Sequence, residues 1–582
     1  MDYLPQELID RVAQLLDPDD LENVLVLSLK FQHAAERASG RFTCFAFKEH
    51  SVEECQNFTA IFGNHRFRYL RRIEVYTKYT ALEPRSRARS CRQKRKNRDP
   101  SPEPEPVSCR ESEQELQQKD DMFTDQVARC FEAIKAVETS GSGGFGRLQL
   151  VVFTPTQQVH ECYCNHRRYS SWRVHLLCPE MLPELHSVHG LSVCNPEMDC
   201  HVSKSTQSRI DLRVIVDLAS RCPNLEYLRC KVGADEWTNR ADEALEHYKH
   251  NHRGPSRDTR DEFSRAVCDI KLPASLQQVQ LDFINDISSA TSEQCRTPPN
   301  LVEPNTHDTF SSSLSLLSTN LTKLELRVMA DKTLFWPHDG ATTPTWPNLE
   351  SLNVMFHIAA PSGSWYFQGP PEAKVFEKYS SPQHEPEYPP LQDSEEDGWH
   401  DRDSHPEQNV PTFRVIPVDQ TILPFLASFA RAAANMPKLI EAMLWAPLSL
   451  QTDVETGHDS DDSGDEPENE SGADNNQIDR SAFALYPDDS LAWGIAYIAP
   501  GQLAFDGGES DSSGRQLWWR VGHWRPGQEL RELFRRIGQA QWGPQVIEHW
   551  TDSRYGDGLV AREWFSEESV FTFRNAALGA FV

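Results

Sequence analysis

Residues 347–354 read Pro-Asn-Leu-Glu-Ser-Leu-Asn-Val, and the phrase inside them, Leu349-x-x-Leu352-x-Val354, decides the fold because it returns along the chain. Leu70, Ile73 and Val75 hold the same places, as do Leu225, Leu228 and Cys230, then Leu276, Val279 and Leu281, then Leu321, Leu324 and Leu326. Fainter copies are Leu185 with Val188, and Leu439 with Ala442 and Leu444. The alternating tail has strand periodicity, so stacked copies build a parallel sheet over a shared core that no single copy could form. Helical periodicity precedes two copies, at residues 212–221 before Pro223 and 422–435 before Pro437, giving a unit of helix, proline stop and strand. The spacing is uneven: 28 residues separate Leu321 from Leu349 and 90 separate Leu349 from Leu439. Two readings stay open, an irregular repeat body with insertions or an α/β domain with parallel strands.

Three stretches interrupt the pattern. Residues 85–98 (RSRARSCRQKRKNR) are a basic run leading into the Pro/Glu-rich 100–107, an exposed loop that serves either nuclear import or nothing beyond solvation. Residues 380–408 are rich in Pro, Asp and Glu, and residues 453–479 hold eleven acidic side chains with no Lys or Arg. Such compositions bury too little apolar surface to offset chain entropy, so all three are expected to be disordered. Ser460 and Ser463 lie among the acids, where acid-directed kinases act. Past residue 481 the composition turns aromatic, with Trp493, Trp518, Trp519, Trp524, Trp542, Trp550 and Trp564. Strands are expected at 491–498 and 516–524, and a helix at 529–536 with Leu530, Leu533 and Phe534 inward. This region would close the last repeat, its tryptophans either packing there or forming a contact face.

The bulk numbers narrow the function. Against 59 Lys and Arg stand 87 Asp and Glu, a formal charge of -28 that repels nucleic acid and anionic lipid over most of the surface. No apolar run reaches the roughly 20 residues needed to cross a bilayer. Fourteen cysteines without a regular framework, and no signal-like opening, predict reduced thiols in cytosol or nucleus.

The amino terminus is the densest stretch: MDYLPQELIDRVAQLLDPDDLENVLVLSLKFQHAAERAS. Leu8, Ile9, Val12, Leu15 and Leu16 recur at three- and four-residue steps, predicting one apolar face on a helix that starts at Pro5. Asp17 is placed to cap a second helix with Pro18 in its first turn, and Leu21, Val24, Leu25 and Leu27 supply its apolar face. A third helix is expected at 30–37, anchored by Phe31 and Ala34. Three helices this short bury little, and a lone bundle of this size usually needs a partner. The alternative is an amphipathic hairpin opening a larger helical domain.

The order Leu4-Pro5, Glu7-Leu8-Ile9, Leu16-Asp17, Asp20-Leu21, Leu27-Ser28 and Phe31 resembles the F-box motif of fungal-type F-box proteins. The resemblance implies that Leu4, Pro5, Leu8, Ile9, Leu16, Leu21, Leu25, Leu27 and Phe31 divide between the motif's own core and its contact with a Skp-type adaptor of a cullin-based SCF ubiquitin ligase. Leu29 stands where the family commonly has a basic residue, which bears on adaptor affinity. An F-box followed by such phrases is similar to F-box proteins with leucine-rich repeats, whose bodies bind protein targets. The implied layout is an F-box at 1–45, a repeat body starting at 46–84, an insertion at 85–120, the main leucine-rich-repeat-like body at 121–450, an acidic linker at 451–480 and a Trp-rich region at 481–582. The expected function is recognition of an unknown protein target for ubiquitination. A protein-interaction role outside ubiquitination is the alternative.

No catalytic chemistry is expected. Gly141-Ser-Gly143-Gly-Phe-Gly146 fits the dinucleotide fingerprint formally, but it follows a helical pattern at 123–137 and precedes a strand-like 148–153, the reverse of what pyrophosphate binding needs. Cys162, Cys164 and His166, with Cys178, Cys194, Cys200 and His201 further on, lack the spacing of a zinc site. No cofactor or metal is expected.

Overall fold

The computed structural model describes residues 4–80, 113–140, 146–158, 173–196, 205–233, 255–284, 287–291, 294, 298, 300–337, 343–370, 412–449, 491–502, 513–550, 560–561 and 565. The basic run 85–98, the Pro/Glu stretch 100–107, residues 380–408, the acidic 453–479, Cys162, Cys164, His166, Cys200, His201 and Gly141 to Phe145 lie outside them.

Within the described residues the chain is mixed α/β, with one large, mostly parallel sheet. Twelve strands follow one another across it in strict chain order. They are β1 (Cys44–Phe47), β2 (Arg72–Lys78), β3 (Leu148–Gln158), β4 (Val188–Cys194), β5 (Tyr227–Lys231), β6 (Gln278–Asp282), β7 (Lys323–Val328), β8 (Ser351–Phe356), β9 (Glu441–Leu448), β10 (Leu491–Ile498), β11 (Arg515–Arg520) and β12 (Val546–Trp550). β1 through β9 are all parallel; β10 pairs antiparallel with both β9 and β11, and β12 is parallel to β11.

Register explains why the phrase recurs. Ile73, Leu150, Leu191, Leu228, Val279, Leu324, Leu352 and Ala442 face one another across β2 to β9 as one row, and Val75, Val152, Val193, Cys230, Leu281, Leu326, Val354 and Leu444 form a second. Every one of these side chains is buried. At the phrase's second position the backbone repeats a contact: the carbonyls of Glu226, Gln277, Thr322 and Glu350 each accept two successive amides of the next strand. Such repetition locks the register, since a slip of one residue would turn both apolar rows to the opposite face.

The fainter copy at Leu185 is framed three residues early: Val188 holds the first position there, and Leu191 and Val193 enter the rows. The sheet also contains two units the phrase misses, β1 with Phe45 and Phe47, and β3, where Arg147 occupies the first position.

The main helices are α1 (Gln6–Ala13), α2 (Pro18–Val24), α3 (Leu29–Ala38), α4 (Val52–Phe62), α5 (Glu113–Ser140), α6 (Arg213–Ser220), α7 (Pro255–Asp269), α8 (Thr309–Ser318), α9 (Asp419–Ala434) and α10 (Gln528–Arg535). Helices α4 to α10 lie against the apolar rows, and α1 to α3 form a bundle with its own core. α5 starts at Glu113, inside the span read as insertion up to residue 120, because Leu116 and Asp120 are already buried. Side chains of α4 to α10, among them Phe58, Phe131, Ile215, Phe263, Phe310, Phe429 and Phe534, share one core with the strands.

The tryptophans of the last strands pack. Trp518 and Trp519 are both buried, Trp519 stacking on Trp550 at 4.9 Å and meeting Phe534 at 5.1 Å. Gly494 faces Trp445 across β9 and β10, and a Cβ there would lie 2.6 Å from the Trp445 Cβ and 2.9 Å from Phe565. Overpacking of this kind costs about 1–3 kcal/mol, so Gly494→Ala should lower the unfolding free energy by that amount, read as a lower urea midpoint with an unchanged m-value. A neutral effect would mean that Trp445 and Phe565 are free to move.

Candidate functional site

Two surfaces stand out among the described residues. The first is the amino-terminal bundle. α1 follows the sequence closely, with Pro5 at its N-cap, and α2 has Asp17 at its N-cap and Pro18 at its first position, although the Asp17 side chain makes no capping hydrogen bond. Ser28 caps α3 by accepting from the Phe31 amide. The bundle's own core is small: Ile9, Ala13, Leu21, Phe31, Ala34 and Ala35, with Leu16, Val24 and Ala38 packed at its edge.

The expected single apolar face of α1 splits. At about 100° per residue, Leu8, Val12 and Leu15 lie on one stripe while Ile9, Ala13 and Leu16 lie round the helix from it. Only the second stripe packs; Leu8, Val12 and Leu15 are 54%, 44% and 74% exposed. The second helix ends at Val24, so Leu25, Val26 and Leu27 sit in a turn instead of on its face and remain exposed with Leu4 and Leu29. Eight of the fourteen large apolar side chains called exposed among the described residues therefore fall within residues 4–29. The Lys30 ammonium donates to the Leu4 carbonyl and the Gln6 amide to the Lys30 carbonyl, setting the first turns of α1 and α3 side by side.

Of the nine residues carried by the resemblance, Ile9, Leu21 and Phe31 are in the core and Leu16 at its edge, whereas Leu4, Pro5, Leu8, Leu25 and Leu27 are exposed. Val12, Leu15, Val26 and Leu29 join the exposed set; their apolar character was visible in the sequence, but not the direction in which they point.

The bundle is fastened to the sheet through α3. Glu36 is buried there, its carboxylate accepting from Arg66 at 2.7 and 3.1 Å and from Gln32 at 3.2 Å, with His65 Nε2 at 2.7 Å. The Tyr69 hydroxyl donates to the His33 carbonyl at 3.1 Å. Burial by itself raises the Glu36 carboxyl, but the hydrogen bonds from Arg66, His65 and Gln32 outweigh it and bring it down to about 2. A carboxyl lowered on folding stabilises the fold above its ordinary range, and that contribution fades as pH falls through the folded value. Glu36→Gln is thus expected to lose about 1.5–3 kcal/mol at neutral pH and to abolish part of the wild type's decline between about pH 4.5 and 2. Thermal unfolding across that range checks it; parallel curves for both proteins would refute the assignment.

The second surface is the sheet face opposite the helices. Its rows carry Glu74, Val151, Ser192, Arg229, Gln280 and Glu325 across β2 to β7, and beside them Tyr76, Phe153, Cys194, Lys231, Asp282 and Arg327. From β8 on the same face is covered: Met355, Met443, Trp445, Ala492 and Trp518 are buried in a second cluster, with Phe565 stacked on Trp445 at 5.5 Å. Over β2 to β7 the side chains of this face are half-buried or buried, and they include charged pairs. Arg72 meets Glu74 at 2.7 Å, Arg327 meets Asp282 at 3.2 Å, and Gln280 donates to Glu325 at 3.0 Å.

The described residues bring together one nucleophile-like pair, Cys130 Sγ at 3.4 Å from His50 Nδ1. Burial pushes the Cys130 thiol up and the His50 imidazole down, while His50 Nε2 is engaged by the Tyr76 carbonyl at 2.8 Å. A buried protonated thiol is a poor nucleophile, and the pair serves to tie α5 to β2. Among the described residues no group of three His, Cys, Asp or Glu side chains is placed to hold a metal ion, and no helix is long and apolar enough to cross a membrane. No protein-family model matches the chain, and no curated protein matches it.

Proposed function

We propose that the chain is a substrate-recognition adaptor of an SCF-type ubiquitin ligase. Its α1–α3 bundle acts as the F-box that binds a Skp-type adaptor, and the body acts as a leucine-rich-repeat-like receptor for a protein target. The observation that carries this reading is the concentration of exposed leucines and valines on a bundle whose own core is six side chains. Each such side chain contributes about 1.5–3 kcal/mol when fully covered, enough in sum to offset the cost of association, and apolar patches of this kind mark protein contacts. The order Leu4-Pro5, Leu8-Ile9, Leu21 and Phe31 supplies the chemical identity of the partner by resemblance.

Twelve strands in chain order, with α4 to α10 packed against the same face among the described residues, support the repeat reading over a doubly wound α/β domain, whose helices cover both faces. The target-binding role falls to the sheet face opposite the helices, over β2 to β7, and ubiquitin transfer takes place on other subunits of the ligase. The test is co-purification of the full chain with a Skp-type adaptor and cullin, compared with a chain lacking residues 1–45. Capture that survives the deletion refutes the F-box assignment. Target ubiquitination that depends on residues 1–45 separates a ligase role from adaptor binding outside ubiquitination.

A further inference from the structure

Where the bundle meets the body, the described residues set His65, Arg66 and Arg68 against one carboxylate of α3, Glu36. That carboxylate is already engaged by Arg66, His65 and Gln32. His33, one turn back on α3, meets the same residues without touching it. Its ring stands 4.1 Å from the His65 ring, and its Nδ1 is 3.3 Å from Nη2 of Arg68. A guanidinium only donates, so His33 Nδ1 must accept, and the contact holds the imidazole in its neutral form. We propose that His33 makes this joint acid-sensitive, the α1–α3 bundle coming away from the body when His33 takes up a proton.

A proton on Nδ1 replaces the hydrogen bond from Arg68 with two donors facing each other. It also sets a new positive charge beside His65 and Arg68. Arg68 Nη2 donates to the Tyr69 hydroxyl at 3.0 Å, and that hydroxyl donates to the His33 carbonyl, so pushing Arg68 aside disturbs a second contact across the joint. The cations on the same helix add to the repulsion: Lys30 and Arg37 lie three and four residues from His33, Lys30 donating to the Leu4 carbonyl and Arg37 paired with Asp10 at 3.1 Å. Burial, His65 and Arg68 hold the His33 imidazole below its ordinary value, with Glu36 pulling the other way. A histidine lowered on docking binds its proton more readily once released, so docking weakens as pH falls from about 6.5 through the docked value. Glu36 keeps its charge over that interval, its own carboxyl lying at about 2. The consequence for ubiquitination rests on the adaptor reading: the switch sets whether adaptor and target are held in a fixed orientation.

Single-molecule energy transfer in the full chain tests it, with azidophenylalanine introduced at the exposed Asn23 on α2 and Gln118 on α5 to carry the dyes. The expected result is a docked population at pH 7.5 and a released population that grows about fivefold by pH 5.5, the upper end for half-exposed charge contacts. Far-UV circular dichroism should stay constant over that interval. H33Q, whose amide oxygen accepts from Arg68 but takes up no proton, should stay docked at both pH values, and H33R should be partly released at both. A wild type without pH dependence, an H33Q that releases as the wild type does, or an H33R that stays docked overturns the switch. Release accompanied by loss of circular dichroism overturns it too, since the bundle would then be melting. Capture of the Skp-type adaptor at pH 7.5 by the unlabelled chain is read separately: its failure removes the adaptor reading and leaves the acid response of the joint as measured.

Discussion

Alanine in place of Arg260 is expected to lower the stability of the protein by about 3–5 kcal/mol, the range for breaking a buried ion pair from one side. Arg260 on α7 and Asp308 at the N-cap of α8 are each about 3% exposed, with Nη2 2.6 Å from Oδ2. The same nitrogen donates to the Met329 carbonyl at 3.1 Å just past β7, and the guanidinium lies 4.2 Å from the Phe310 ring. Asp308 in turn accepts from the Ser311 amide and hydroxyl, so its charge also holds the start of α8. Removing the arginine leaves that carboxylate in a dry site without its cation, and three elements lose their common anchor. Urea unfolding measures the cost, and a cycle with Asp308→Asn separates the pair from packing. A loss below about 1 kcal/mol in Arg260→Ala would show that water reaches Asp308 and that the pair is no anchor.

The second large effect concerns binding and should leave folding alone. L8D/L27D places two carboxylates where the bundle exposes leucine, at 54% and 52%. Exposed positions tolerate such changes within about 0.5 kcal/mol, so the unfolding curve should barely move. An apolar contact covering them must desolvate both charges, each costing more than the about 1–3 kcal/mol of a neutral polar group, which predicts a loss of adaptor affinity on the order of a hundredfold or more. Ile9→Asp is the contrasting variant, since Ile9 is fully buried and its change should melt the bundle itself. Undiminished adaptor capture by a folded L8D/L27D would place the contact elsewhere.

Much of this architecture could be read from the chain because two residues in each phrase must point the same way. Leu324 and Leu326, or Leu352 and Val354, announce their strands by alternation alone. β1 was hidden because Phe45 and Phe47 stand in for leucines, whereas β3 showed as strand-like at 148–153 but not as a copy of the phrase, because Arg147 takes the first position. The leucines of the amino terminus were legible as apolar but not as exposed, since a stripe broader than its packing partner does not reveal which half stays outside.

The reversal of direction at β10 has a consequence for how such a chain can grow. Up to β9, one more helix-and-strand module could be spliced in and would find a neighbour running its own way. Only β10 runs against the rest, since β11 and β12 share the direction of β1 to β9, so a module spliced in on either side of β10 would meet a strand of opposite polarity and lose the evenly slanted parallel ladder.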